Sequence, residues 1–341
     1  MKSATFRLWS SRLLFPALAF VVTVPAGART LNASGASFPA PLYQRWFIEY
    51  HGQNPETQIN YQSIGSGAGI KNFLQGLTDF GASDAAMTDE DIAKVGEGVQ
   101  LLPMTAGSIV MAYNLPGVTK PIRLSRDTYP KIFLGEIKMW NDPALTAINP
   151  DVKLPDLPIT IAYRADGSGT TFNFTNHLAA VSPGFKNKVG AGTLVQWPVG
   201  VGGKGNQGVA ALINQTPGTI GYVEFGYAMV TKLPMAVLQN REGSYTAATP
   251  ESGAATLRHL QLPENLRAFD FDPAGNDSYP IVTFTWWLCR KHNSSPEVAN
   301  EIKAAAKWCL GPGQKLSGEL GYIPLPPGVV ERDLAALDNL K

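Results

Sequence analysis

The stretch Tyr163-Arg164-Ala165-Asp166-Gly167-Ser168-Gly169-Thr170-Thr171-Phe172 constrains this chain more than any other. An apolar run over 159–162 precedes it and a helical pattern reaching residues 179 and 180 follows, so it reads as strand, glycine turn, helix. Such a turn leaves the first backbone N–H groups of the helix without partners, at the positive end of the helix dipole, and an end of that kind accepts an anion. Arg164 adds a permanent cation with a planar fork of donors. Ser168, Thr170 and Thr171 add hydroxyls that can cap the helix or reach a bound oxygen. Taken alone, such a stretch is more often an ordinary capped helix start than a ligand site.

The unit recurs. Leu31 to Ala33 reads as a short strand that passes through Gly35 and Ser37 into a helix with Leu42, Trp46, Phe47 and Tyr50 at three- and four-residue spacing, its start marked by Pro39 and Pro41. An alternating strand over 58–62 leads through Ser63-Ile64-Gly65-Ser66-Gly67-Ala68-Gly69 to a helix expected over 70–77. A short strand over 78–84 ends in Asp84, an acid among hydroxyls, and Thr88 caps the helix after it. An Asp in such a place is ordinarily a surface turn residue. Strands are expected over 100–103 and 108–114, a helix over 124–134, a buried strand over 219–225 and a long apolar strand over 281–288 with two helices after it. The glycine-dense loop 195–208 precedes a helix over 209–214, but it does not meet the Gly-x-x-x-x-Gly-Lys-Ser/Thr spacing, Asn206 included, and nucleotide binding is not expected. Alternating strands and helices predict α/β layers with parallel sheets, whose ligands lie outside the carboxyl ends of the strands.

Residues 1–28 read as a secretory signal: Lys2, Arg7 and Arg12 without acids, an apolar run over 13–24, then Ala26-Gly27-Ala28. The run is too short and too proline-interrupted to span a membrane, so cleavage is expected about Ala28, with no anchored N-terminus. Losing those three cations from 28 basic residues leaves 25 against 27 acidic ones. A slightly acidic chain has no global field for nucleic acid or anionic membranes, so anion recognition must be local. About 313 remaining residues exceed the usual single core, which predicts two domains. Cys289 and Cys309 leave two readings open, a strand-to-helix disulfide or two buried thiols. His51, His177, His259 and His292 have no ligand spacing, so neither a metal nor a cofactor is expected.

Six blocks carry a resemblance: Gly35-Ala36-Ser37-Phe38-Pro39-Ala40-Pro41, Tyr61-Gln62-Ser63-Ile64-Gly65-Ser66, Asp79-Phe80-Gly81-Ala82-Ser83-Asp84, Arg164-Ala165-Asp166-Gly167-Ser168-Gly169-Thr170, Trp197-Pro198-Val199-Gly200 with Gly202-Gly203-Lys204-Gly205, and Gly221-Tyr222-Val223-Glu224. With them, nearly the whole chain after residue 28 resembles the periplasmic phosphate-binding proteins of bacterial ABC-type phosphate importers. The resemblance implies a two-lobe periplasmic-binding-protein fold of type II, each lobe a mostly parallel sheet flanked by helices, with the ligand in the cleft between lobes. It implies one lobe from residues 29–106 plus 278–341 and the other from 107–277. Carried over by motif, the phosphate ligands are Ser37, Phe38 through its backbone N–H, Ser66, Asp84, Arg164, Ser168, Gly169 through its backbone, and Thr170, with Asp166 holding the arginine. The family often has Thr where Ser37 stands, which keeps the hydroxyl, and Ser where Gly67 stands. The implied partners are inorganic phosphate and the inner-membrane permease with its ATPase, for a periplasmic monomer that is not an enzyme.

The residue chemistry is consistent with that expectation. Hydroxyls, amides and one arginine supply donors for four oxygens. Asp84 repels an anion unless the anion brings a proton, and hydrogen phosphate does so near neutral pH while sulfate does not. Another oxyanion on the same fold is the first alternative. A phosphate-ester hydrolase is the second, but Ser168 has no evident base and the Gly-x-Ser-x-Gly pattern is not formed.

Overall fold

Three strand-to-helix units open the described chain, which comprises residues 29–341 of a computed structural model. The expected signal segment therefore lies outside the described residues. β1 (Arg29–Gly35) pairs in parallel with both β2 (Thr57–Ser63) and β3 (Phe80–Ser83). Parallel neighbours need a crossover, and the helices Ala40–Gln53 and Ser66–Leu74 supply it. The first buries Leu42, Tyr43, Trp46, Phe47 and Tyr50, the three- and four-residue stripe legible in the sequence.

β4 (Val99–Tyr113) is a single strand of 15 residues, buried at every position, where the sequence had indicated two. Its first part pairs antiparallel with β11 (Val282–Arg290) and its last five residues with β8 (Thr219–Glu224). Pro103 made it look broken. In the structure Pro103 faces a register shift between Thr285 and Trp286, where a residue without an N–H costs the ladder least. Beyond β8 lie β6 (Thr160–Arg164) and β7 (Val201–Gly203), again in parallel. Among the described residues the strand order is β2-β1-β3-β11-β4-β8-β6-β7, so the fold is α/β with parallel flanks joined by antiparallel strands at the centre.

A small second sheet of β5 (Arg123–Leu124), β9 (Val237–Gln239) and β10 (Tyr245–Thr246) has strands too short for an alternating pattern to reveal. It corrects the expected helix over 124–134, which begins only at Thr128 and ends at Phe133. At the C-terminus three α-helices replace the expected two, Pro296–Leu310, Gln314–Glu319 and Pro327–Ala336, because Gly311-Pro312-Gly313 and Pro324 to Pro327 interrupt the run.

Two of the aromatic clusters flank β4, one on each side. Phe80 stacks on Trp287 at 4.3 Å beside Tyr43 and Phe47, and Phe174 stacks on Tyr222 at 4.2 Å beside Phe133 and Trp197. Cys289 and Cys309 are free, buried thiols. Burial pushes the Cys289 thiol up to about 12.

Candidate anion-binding site

The carboxyl ends of β1, β2, β3, β6 and β7 all open on one place, as expected for an open α/β sheet. From the β1 to β3 side come Ser37 and Phe38, then Ser66, then Asp84; from the β6 and β7 side come Arg164, Asp166, Ser168, Gly169 and Thr170. Except for Asp166, all of these are buried. Glycine permits the closest approaches. A Cβ on Gly69 would lie 2.4 Å from Gly35 Cα, so its absence seats the helix Ser66–Leu74 directly on the sheet. A Cβ on Gly169 would lie 2.6 Å from Ser66 Oγ and 2.7 Å from Asp84 Oδ2, so its absence lets the two sides meet.

Hydrogen bonds span the same junction. Gly67 N donates to Gly167 O at 3.0 Å, and Asn173 Nδ2 donates to Asp84 O at 2.8 Å and Gly169 O at 2.9 Å. The Tyr227 hydroxyl donates to Ser37 O at 2.7 Å. Asn206 donates to Ser37 Oγ from its backbone N at 3.1 Å and its Nδ2 at 3.0 Å, and Nδ2 also reaches Thr170 Oγ1 at 3.2 Å.

Arg164 is 1% exposed. Its Nε and Nη2 donate to the two Asp166 oxygens at 2.8 and 2.6 Å, a bidentate pair that fixes the guanidinium plane. Tyr222 accepts the Arg164 backbone N–H at 3.1 Å, and Arg164 Nη1 approaches Thr170 Oγ1 at 3.4 Å. At Asp166 burial acts to raise the pKa, but the hydrogen bonds and charge of Arg164 and the Gly205 N–H outweigh it. Its carboxyl sits below the usual range and stays ionised.

Asp84 is the opposite case. At 1% exposure, burial pushes its carboxyl up to about 7, against the lowering effects of the Thr285 hydroxyl, the Arg164 charge, Ser66 and Thr170. Thr285 donates to its Oδ1 at 2.9 Å. The expectation of a surface turn acid is therefore overturned: packing of β3 beside β11 drives the side chain inward.

The backbone N–H groups of Phe38, Ser66, Gly169 and Thr170 have no protein acceptor among the described residues, although all four residues are buried. Buried N–H groups without partners are rare in folded proteins, and four around one arginine describe a receptor for an anion. Ser168 Oγ meanwhile accepts the Thr171 N–H at 3.0 Å and caps the helix Gly169–Val181. Among the described residues no group of three or more His, Cys, Asp or Glu is placed to hold a metal ion.

The eight residues read as phosphate ligands, and Asp166 beside Arg164, all lie in this cluster. The sequence reading missed Asn206, Asn173 and Thr285. Asn206 follows a glycine-dense loop with no ligand spacing of its own, Thr285 lies in an apolar strand, and Asn173 one turn inside a helix, so no local pattern marks them.

A family model described as a PBP superfamily domain matches residues 21–312. A phosphate-binding protein PstS of Xylella fastidiosa is 40% identical over 318 residues, covering 91% of this chain and 86% of the relative. The chain belongs to the PstS phosphate-binding protein family. Another PstS, of Haemophilus influenzae, is 40% identical over 313 residues, with 90% of this chain and 92% of the relative covered. Among solved structures, a phosphate-binding protein from Stenotrophomonas maltophilia superposes with a TM-score of 0.72 at 20% identity, covering 90% of this chain and 94% of that one, which shows the shared fold. As in that family the fold is two-lobed, and in this PstS family member the cluster lies where the two sides of the sheet meet.

Proposed function

We propose that this protein binds inorganic phosphate, as hydrogen phosphate, between its lobes and delivers it to an ABC importer in the membrane. The observation that carries the reading is the convergence of unpartnered N–H groups of buried residues and one fixed arginine beside the buried carboxyl of Asp84. The N–H groups of Phe38, Ser66, Gly169 and Thr170, the hydroxyls of Ser37, Ser66, Ser168 and Thr170, and Arg164 donate to the ligand oxygens. Asp84, as carboxylate, accepts a hydrogen bond from the ligand's one O–H. Because Arg164 is paired with Asp166, it orients the anion and adds little net charge.

Sulfate has no proton to offer at neutral pH, so it meets an ionised Asp84 as a like charge and is accommodated only if the carboxyl takes up a proton, which costs more as the pH rises above about 7. We assign residues 29–106 and 278–341 to one lobe and 107–277 to the other, joined where β4 passes from β11 to β8. The family supports a transport role without catalysis, in the periplasm. Calorimetric titration of phosphate-free protein tests the reading. The expected result is one phosphate bound per chain, with sulfate at least about a hundredfold weaker. Equal affinity for the two anions overturns the role of Asp84, and no phosphate binding overturns the whole reading.

A further inference from the structure

We infer that Asn206 is a positioning residue which holds the hydroxyls of Ser37 and Thr170 as obligate hydrogen-bond donors to the bound anion. The inference deepens the phosphate-binding reading above and rests on it. The direction of each bond follows from who can donate. Glu224 N approaches Asn206 Oδ1 at 2.9 Å, and a backbone N–H can only donate, so that atom is the amide oxygen and the other is the NH₂. Its two hydrogens go to Ser37 Oγ at 3.0 Å and Thr170 Oγ1 at 3.2 Å.

Ser37 Oγ also takes the Asn206 backbone N–H at 3.1 Å, and Thr170 Oγ1 also takes Arg164 Nη1 at 3.4 Å. A hydroxyl oxygen has two lone pairs and one hydrogen. With both lone pairs engaged, each hydroxyl can act toward a further neighbour only by donating. Asn206 is fully buried, so water does not compete for these bonds. Without it, either hydroxyl is free to turn and present a lone pair to an oxygen of the anion, which is repulsive. Asn206 also joins the lobes, since Ser37 and Thr170 stand on opposite sides of the junction.

A double-mutant cycle separates this role from a merely structural one. Inorganic phosphate is titrated into the wild type, Asn206→Ala, the pair Ser37→Ala with Thr170→Val, and the triple variant. The expected result is a ten- to hundredfold loss of affinity from Asn206→Ala in the wild type, falling to less than about threefold when both hydroxyls are already gone. An equal loss in both backgrounds overturns the inference while leaving the phosphate reading standing. Absence of binding by the wild type overturns both. If Asn206→Ala does not fold, Asn206→Asp keeps the acceptor for the Glu224 N–H and replaces only the donor. The same cycle is then read with it, where a loss that shrinks at least about threefold without the hydroxyls supports the inference and an unchanged loss overturns it.

Discussion

At Asp84 burial and partner chemistry act in opposite directions, and burial prevails. The sign of the resulting pH dependence is fixed. A carboxyl at about 7 in the folded state and 3.8 outside it holds a proton that the unfolded chain releases, so stability is lost as pH rises through that interval and is level above it. Asp84→Asn removes the ionisable group. In phosphate-free buffer at pH 8 the variant is expected to be more stable than the wild type by at most about 4 kcal/mol, and so to unfold at a higher temperature, with the gain shrinking as the pH falls toward 4. The same variant is expected to lose discrimination, since an amide can donate to sulfate as well as accept from hydrogen phosphate. Thermal unfolding across pH and paired anion titrations read both effects. A variant no more stable than wild type at pH 8 contradicts the burial argument.

The helix Gly169–Val181 carries a second prediction, because its first residue lies against Ser66 and Asp84 from the other side of the sheet. Alanine is a better helix former than glycine, so Gly169→Ala should not weaken the helix itself. Its methyl, however, would overlap Ser66 Oγ and Asp84 Oδ2, both closer than 3 Å to the added Cβ. The variant is expected to fold with near wild-type thermal stability when free of ligand, to bind phosphate at least about tenfold more weakly, and to show by small-angle scattering no compaction on adding phosphate. Full affinity would mean that the lobes need not approach this closely in the bound state. At the same scale β4 shows how one element joins both flanks of the sheet: its early residues pair with β11 and its last five with β8, so the link between the flanks is one continuous strand.

For the molecule as a whole, the two cysteines report on packing. Both are fully buried, one in β11 and one in the helix Pro296–Leu310, and burial raises both thiols. Thiolate is the reactive form, so neither thiol should react with an aromatic disulfide reagent in the native protein. Two equivalents are expected on unfolding in denaturant. Fewer than two would indicate a disulfide, the other reading the sequence left open. This also bears on the compartment: two thiols this deep need no reducing environment to persist, because oxidants do not reach them.

By itself the sequence determined the repeated strand, glycine turn and helix units and the hydroxyls at their starts, because turn chemistry and helical spacing are local properties of the chain. From the same local signals Arg164 and its glycine turn stood out, and Asp84 stood out as an acid among hydroxyls. Only the tertiary structure decided that Asp84 is buried and holds its proton to about 7, since that depends on β11 arriving about 200 residues later to lay Thr285 beside it. It also decided that Pro103 sits inside one continuous strand, beside a register shift in its pairing with β11, that short strands build a second sheet, and that Asn206 bridges Ser37 and Thr170. Each of these rests on partners far apart in sequence, and the hydrogen bonds and loss of water that define them exist only once the chain is folded.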